Sequence, residues 1–439
     1  MIERGWYDRD FIRDWTNGPL LVRADTGRIL TEADVARDGR ASTLLAWDSA
    51  RGCPVGYDSR LKRYERDGAN LALRGSCAIR TLQGDVECQP AFQLCAEAAR
   101  AYSLAAVASI TGIKSEEVER AARLLWETRP VAYDAWSEVE QHTNTTQIAR
   151  AICFLYALTG SFDAPGGNRL LPAVPSRNVV GLELASAEQR SRALGLSERP
   201  LGPSAWQWVT TDEVYRAVLD KTPYAVRGLV GFGANLLLAH ADARRGREAL
   251  AALDFYVHAD LFMNPTAELA DIVLPVTSPF ETEGLKIGFE ISPAAQELVQ
   301  LRHPMAEPRG EARSDTEIVF DLACRLGLGA QFWNGDTDAG YRHRLEPSGV
   351  TLEQLRRNPG GVRVPLQPSY RKFAELQSGI PRGFETPSRL VELYSETLLD
   401  HGYPPLPGTL RAADQSAVSP GSGLAVSAHT HMCQEHALL

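Results

Sequence analysis

The chain has no apolar run near the roughly twenty residues a membrane helix needs, and its longest stretches, around residues 104–113 and 151–158, are about half that. Membrane spanning is excluded on that reading. The start, Met-Ile-Glu-Arg-Gly-Trp, has no basic segment followed by an apolar one and a small-residue cleavage site, so the expected location is the cytoplasm. Clustered Lys and Arg are missing too. With a formal charge of -9 and arginine interspersed with acid, the chain offers no electrostatic footprint for nucleic acid. The seven cysteines, Cys53, Cys77, Cys88, Cys95, Cys153, Cys324 and Cys433, contain no Cys-x-x-Cys pair. The nearest two, Cys88 and Cys95, are too far apart in sequence for the short loop that an iron-sulfur cluster or structural zinc usually uses. An odd, scattered set fits reduced thiols better than a disulfide framework. No Gly-x-Gly-x-x-Gly follows a strand pattern, which counts against an ordinary dinucleotide enzyme.

What the chain does have is enough apolar side chain, 44% of 439 residues, for a sizeable core. Residues 8–15 read as a short helix halted at Asn17-Gly18-Pro19, followed by a strand at 20–23 and a turn at Asp25-Thr26-Gly27. Residues 35–80, rich in Gly, Arg and Asp, read as surface loops and hairpins. From Pro90 the period turns helical. Phe92, Leu94, Cys95 and Ala98, then Leu104, Val107 and Ile110, are spaced to bury one stripe. A helix N-capped by Ser115 would bury Val118, Ala121, Ala122 and Leu125. Residues 130–133 read as a buried strand, 134–144 as a polar loop, and 148–158 as an apolar helix ending at Gly160.

A second series runs strand 228–232, loop 233–235, helix 243–252 and strand 255–259. Asp260 and a short helix started by Asn264-Pro265 come next, then a strand at 270–275. Alternation of this kind implies a parallel sheet covered on both faces, with ligands outside the carboxyl ends of its strands. The loops after Tyr133, Phe232 and Ala259 are thereby nominated. Further on, Thr351 with Gln354 makes a capping box. Residues 358–389 look loop-like, and 390–394 form a last strand before a turn at 402–405. The expected class is α/β, with two doubly wound, mostly parallel lobes and a partial C-terminal extension. The expected division is 1–222, 223–335, a loop-rich connection at 336–407, and an irregular tail at 408–439.

Several stretches together carry a resemblance. Trp6-Tyr7-Asp8-Arg9-Asp10-Phe11-Ile12 with Trp15-Thr16-Asn17-Gly18 is one, and Leu158-Thr159-Gly160-Ser161-Phe162-Asp163-Ala164-Pro165-Gly166-Gly167 is another. The most specific is Ala259-Asp260-Leu261-Phe262-Met263-Asn264-Pro265-Thr266-Ala267-Glu268-Leu269-Ala270-Asp271-Ile272-Val273-Leu274-Pro275, continuing to Glu281-Thr282-Glu283-Gly284. A final one joins Glu385-Thr386-Pro387-Ser388 to Val391-Glu392-Leu393-Tyr394-Ser395. Together they resemble the dimethyl sulfoxide reductase superfamily, which binds molybdenum or tungsten between two molybdopterin guanine dinucleotides. The resemblance runs from near residue 1 to about residue 407 and is that of a central fragment of such an oxidoreductase.

In members of that superfamily one guanosine is contacted by a Gln-His-Thr loop, by an Asn after a strand, by a short residue and Asp at the next strand end, and by a later Asp. The resemblance places these roles on Gln141 with His142, on Asn235, on Ala259 with Asp260, and on Asp315. The chemistry suits them, because guanine presents adjacent N–H donors to a carboxylate and ribose offers hydroxyls. Local readings stay open: Asp260 as the cap of the turn after its strand, Gln141 and His142 as partners of loop backbone. No catalytic residue and no metal ligand is assigned. Glu281 and Glu283 read as a solvated rim, and His258, His429, His431 and His436 lack the spacing of a metal site. The resemblance further implies that the cysteine-rich segment, the metal-ligand half and the clamping β domain are outside this chain. It implies a fragment inactive alone, without an iron-sulfur cluster, needing the remaining domains or an electron-transfer subunit as partner. The alternative is a non-catalytic module for a nucleotide or pterin. The aperiodic tail at 425–436, shifted by one nucleotide under one codon choice, reads as a strand, which leads to the expectation of a frameshift there.

Overall fold

The structure, a computed structural model, describes residues 1–408 except 67, 136–138, 140–143, 170 and 289–291. The chain divides into two compact units, Met1–Leu170 with Ser369–Leu439, and Leu171–Pro368. The tail on which the frameshift was read lies outside the described residues, as do Gln141 and His142.

In the first unit, helix α1 (Arg9–Trp15) starts where the Asp8 carboxylate accepts the Phe11 N–H at 2.9 Å, and it buries Phe11 and Ile12. It stops at Thr16, whose hydroxyl turns back to the Ile12 carbonyl at 2.6 Å. Strand β1 (Leu21–Arg23) then joins an antiparallel sheet with β5 (Cys77–Thr81) and β6 (Gly84–Pro90). A second antiparallel sheet holds β2 (Thr43–Asp48), β3 (Cys53–Asp58) and β4 (Arg63–Tyr64), so the stretch read as loops and hairpins contains paired strands. Helix α2 (Ala91–Arg100) buries Phe92 and Cys95, as their spacing predicts. The long apolar helix α5 (Thr145–Thr159) packs on α1 in a core of Phe11, Ile12, Phe92, Tyr156, Phe162 and Phe373. It ends in a left-handed residue, Gly160, at φ 63°. A Cβ there would stand 2.6 Å from the Asp8 carboxylate that caps α1.

Three expectations for this unit fail: two helices meet no partner surface, and two extended stretches find an asparagine side chain where a partner strand was expected, although Leu390, Leu393 and Tyr394 are buried. Helices α3 (Leu104–Thr111) and α4 (Ser115–Glu127) have no buried residue, and Ile110 and Leu124 are 64% and 60% exposed. Residues 130–133 form no strand. The Tyr133 N–H donates to the Asn168 side chain at 2.7 Å, and the Asn168 amide donates back to the Tyr133 carbonyl at 3.0 Å, so one side chain takes the place of a neighbouring strand. Residues 390–394 make a single bridge, Thr16 to Val391, rather than a strand. There the buried Asn17 accepts from the Leu393 N–H at 2.8 Å and donates to the Tyr394 carbonyl at 2.7 Å.

The second unit carries the parallel sheet: β7 (Gly228–Phe232), β8 (Phe255–Asp260) and β9 (Ile272–Pro275), with β8 in the middle. Helices α6 (Thr211–Leu219), α7 (Leu236–Ala239) and α8 (Ala243–Ala251) precede or alternate with these strands. Leu237, Leu250 and the buried Tyr256 close one face of the sheet. Among the described residues, Val230, Phe255 and Ile272 on the other face are 48%, 50% and 45% exposed while Ala259 on it is fully buried, so the cover expected on both faces is partial there, α7 and α8 both packing on the Tyr256 side. A neighbouring antiparallel sheet, β10 (Gly284–Lys286), β11 (Leu298–Arg302) and β12 (Val362–Arg363), packs with Leu345, Leu352 and Leu355. Helix α9 (Asp315–Arg325) begins behind Ser314 and Glu317, a capping box. The capping box at Thr351 and Gln354 is present as well.

Candidate functional site

Four of the six nominated residues gather at the carboxyl ends of β7, β8 and β9. Parallel strands bring their C-terminal loops to one edge, and this edge is where the second unit exposes polar groups. The loop after β7 folds over the sheet because the Gly233 N–H donates to the carbonyl of the fully buried Ala259 at 2.9 Å. Helix α9 reaches the same edge through a parallel bridge between Val276 and Arg313, with the Thr277 N–H on the Arg313 carbonyl at 3.1 Å. Asp315, the first residue of α9, is thereby set beside the strand ends.

Asp260 is the hub. Its Oδ1 accepts the N–H groups of Leu261 at 2.6 Å and Phe262 at 3.2 Å, and its Oδ2 accepts from Asn264 at 2.8 Å and meets His258 Nε2 at 3.1 Å. A carboxylate has about four lone-pair sites, and all are in use. Burial alone would raise the Asp260 pKa, but the bonds from His258, the two backbone N–H groups and Asn264 outweigh it and hold the carboxyl below the usual range. Asn264 in turn accepts from the Thr266 and Ala267 N–H groups, both at 3.0 Å, which starts the short helical turn Ala267–Leu269. Thr266 donates its hydroxyl to Asn235 Oδ1 at 3.0 Å and accepts the Leu237 N–H at 3.0 Å. One continuous network therefore links the loops after β7 and β8.

The groups left open are different ones. Asp315 is exposed, and its carboxylate accepts no hydrogen bond among the described residues. Partial burial first, and the Asp260 charge second, push its carboxyl above the usual range, so the two acids feel one another. The half-buried Asn235 has an amide N–H₂ with no acceptor among the described residues. Thr277, 8% exposed, has a buried hydroxyl without a partner among the described residues. A free carboxylate and a free amide donor suit a ligand that offers N–H donors beside acceptor oxygens, and guanosine is such a ligand.

Sequence reasoning missed Thr266 and Thr277, because their roles depend on contacts across loops. It read His258 only as a non-ligand, and the structure buries it completely between Tyr256 and Asp260. Alternation along β8, with Tyr256, His258 and Asp260 two apart, was the available signal. A separate cavity of about 70 Å³ in the first unit, beside the ion pair of half-buried Lys372 with buried Asp163, shares no residue with this edge.

A parallel sheet with partly unpaired polar groups at its strand ends defines an α/β protein of the kind that seats ligands there. The model of the family described as molybdopterin oxidoreductase matches residues 103–325. The chain belongs to the molybdopterin oxidoreductase family, within the dimethyl sulfoxide reductase superfamily, whose members take a molybdopterin cofactor. It is 28% identical over 351 residues to the acetylene hydratase of Syntrophotalea acetylenica, covering 72% of this chain and 45% of that protein. It is 25% identical over 320 residues to the dimethyl sulfoxide reductase DmsA of Escherichia coli, covering 66% of this chain and 37% of that one. The structure of acetylene hydratase from Pelobacter acetylenicus superposes with a TM-score of 0.66 at 20% identity, over 95% of this chain and 50% of that chain. The chain thus spans about half the length, or less, of the relatives it matches.

Proposed function

We infer that the chain is the central portion of the catalytic subunit of a bis-molybdopterin guanine dinucleotide oxidoreductase, and that the edge formed by Asn235, Ala259, Asp260 and Asp315 receives the guanosine end of one cofactor. The observation that carries this reading is the meeting of an open acceptor, Asp315, and an open donor, Asn235, beside a loop already organised by Asp260. Asp315 accepts the donor edge of the base, Asn235 donates toward the sugar or base, and Asp260 keeps the intervening loop in shape. The cofactor-binding role that the resemblance gives Gln141 and His142 remains part of the proposal and falls outside the described residues. When bound, the cofactor supplies the molybdenum or tungsten at which two-electron chemistry occurs; the residues named here bind and orient only its nucleotide.

The family lobes at 1–222 and 223–335, and the absence of an iron-sulfur cluster from this chain, belong to the same reading. So does the expectation that the chain turns over no substrate by itself, since the residues assigned here bind only the nucleotide. The test is titration of the purified chain with GMP by calorimetry. Asp315→Asn is expected to weaken binding by roughly tenfold, the cost of about one charge-assisted hydrogen bond. Equal affinity for GMP and AMP, or no effect of the substitution, would refute the guanosine assignment. Metal analysis of the purified chain separates an oxidoreductase portion from a non-catalytic nucleotide module.

A further inference from the structure

We propose that His258 is a positioning residue whose imidazole, held from behind by the Tyr256 hydroxyl, locks the Asp260 carboxylate into the loop and so reserves Asp315 for the ligand. This rests on the guanosine reading above and adds to it a relay through Tyr256 and His258, neither of which the sequence nominated. Tyr256, His258 and Asp260 lie on one face of β8 because successive strand residues alternate. The Tyr256 hydroxyl is 2.7 Å from His258 Nδ1, and His258 Nε2 is 3.1 Å from Asp260 Oδ2.

Burial pushes the Tyr256 phenol up to about 12, so it stays protonated and can donate to Nδ1. With Nδ1 accepting, the neutral ring carries its proton on Nε2 and donates to Asp260. The neighbouring strand is cut to fit the ring: Gly231 pairs with His258, and a Cβ at 231 would lie 2.9 Å from Nδ1. Tyr256 is itself fixed, its N–H donating to the Asp271 carboxylate at 2.7 Å. The groups facing Asp260 are then His258, Asn264, the Leu261 and Phe262 N–H groups, and the charge of Asp315. Without the imidazole, Oδ2 loses one of its two donors, and the carboxylate is free to turn toward the incoming base or toward Asp315.

The experiment uses the full chain and three measurements. Long-range ¹H–¹⁵N NMR should show His258 with the proton on Nε2, and carboxyl-carbon NMR should show Asp260 titrating below the usual range in the wild type and higher in His258→Leu. His258→Leu should weaken GMP binding by about tenfold, typical of a lost supporting hydrogen bond behind a site. His258→Gln, which keeps a donor toward Asp260, should recover most of it while both variants retain the wild-type circular dichroism. A proton on Nδ1 alone, an unmoved Asp260 titration, or a Gln variant as impaired as the Leu variant would overturn the relay. If the wild type fails to bind GMP while the tautomer and titration come out as stated, the nucleotide reading fails and the relay stands.

Discussion

At Asp260, four hydrogen bonds converge on one carboxylate; at Asp315, beside it, none of the described residues donates one. Asp260→Ala strips acceptors from Asn264, His258 and two backbone N–H groups, and the expected loss is about 2–4 kcal/mol in chemical denaturation, since each stranded donor costs about 1–3 kcal/mol. Because its folded pKa is depressed, the Asp260 contribution is present above the unfolded value and fades as pH falls through the folded one. Asp315 has the opposite sign. Its raised pKa means that ionisation costs the fold something once the pH has risen through the folded value. Asp315→Asn should therefore leave neutral stability equal or slightly higher while binding falls, the trade expected of a functional residue. Lys62 shows the same logic away from the site. Burial, then the Arg389 charge, lowers its pKa to about 8, and its ammonium rests 3.8 Å over the Trp15 ring. Its charging penalty applies below about pH 8 and is relieved as pH rises toward the unfolded value. Lys62→Met should raise the melting temperature at pH 7 by a few degrees, and the gain should shrink between pH 8 and 10.

Among the elements, α1 and α5 depend on each other through one turn. Gly160 lets α5 end in a left-handed conformation against Asp8, and Asp8 both caps α1 and donates its N–H to the Leu158 carbonyl at 2.7 Å. Gly160→Ala should cost about 1–2 kcal/mol from the positive φ alone, and more from the clash with the Asp8 side chain. Urea unfolding would measure it, and faster amide exchange at Phe11 would show that the α1 cap is lost too. The short helices and strands of the second unit were legible where a local rule decides them. Asn264 with Pro265 and Thr351 with Gln354 act within one turn of their own backbone, and Ser314 with Glu317 is a box of the same kind that the sequence reading did not pick out. Residues 130–133 and 390–394 were misread because their apolar character and extended preference were right. Asn168 and Asn17, however, took the hydrogen bonds a partner strand would have supplied.

For the whole molecule, two compact units carry separate cores and also open apolar surface, at Ile110 and Leu124 in one and at Val230, Phe255 and Ile272 in the other. Exposed apolar groups spaced this way favour association. Light scattering should show self-association that rises with concentration and falls in Ile272→Lys, whereas a monomer that binds no hydrophobic dye would contradict it. No helix among the described residues is long and apolar enough to cross a membrane. The family was readable from several stretches taken together, residues 259–275 being the most specific of them, because each is a run of consecutive positions. The same run marked Asp260, and its local reading as a turn cap proves correct in the bonds to Leu261 and Phe262. The sequence could not say that Asp260 would have no lone pair to spare or that Thr266 would tie Asn235 into the network, and only the resemblance led to the expectation that Asp315 shares an edge with Asp260. Those facts depend on which loops the parallel sheet brings to one edge. Hydrogen-bond capacity is used up in space, between groups many residues apart, and only the folded chain shows which donors and acceptors remain.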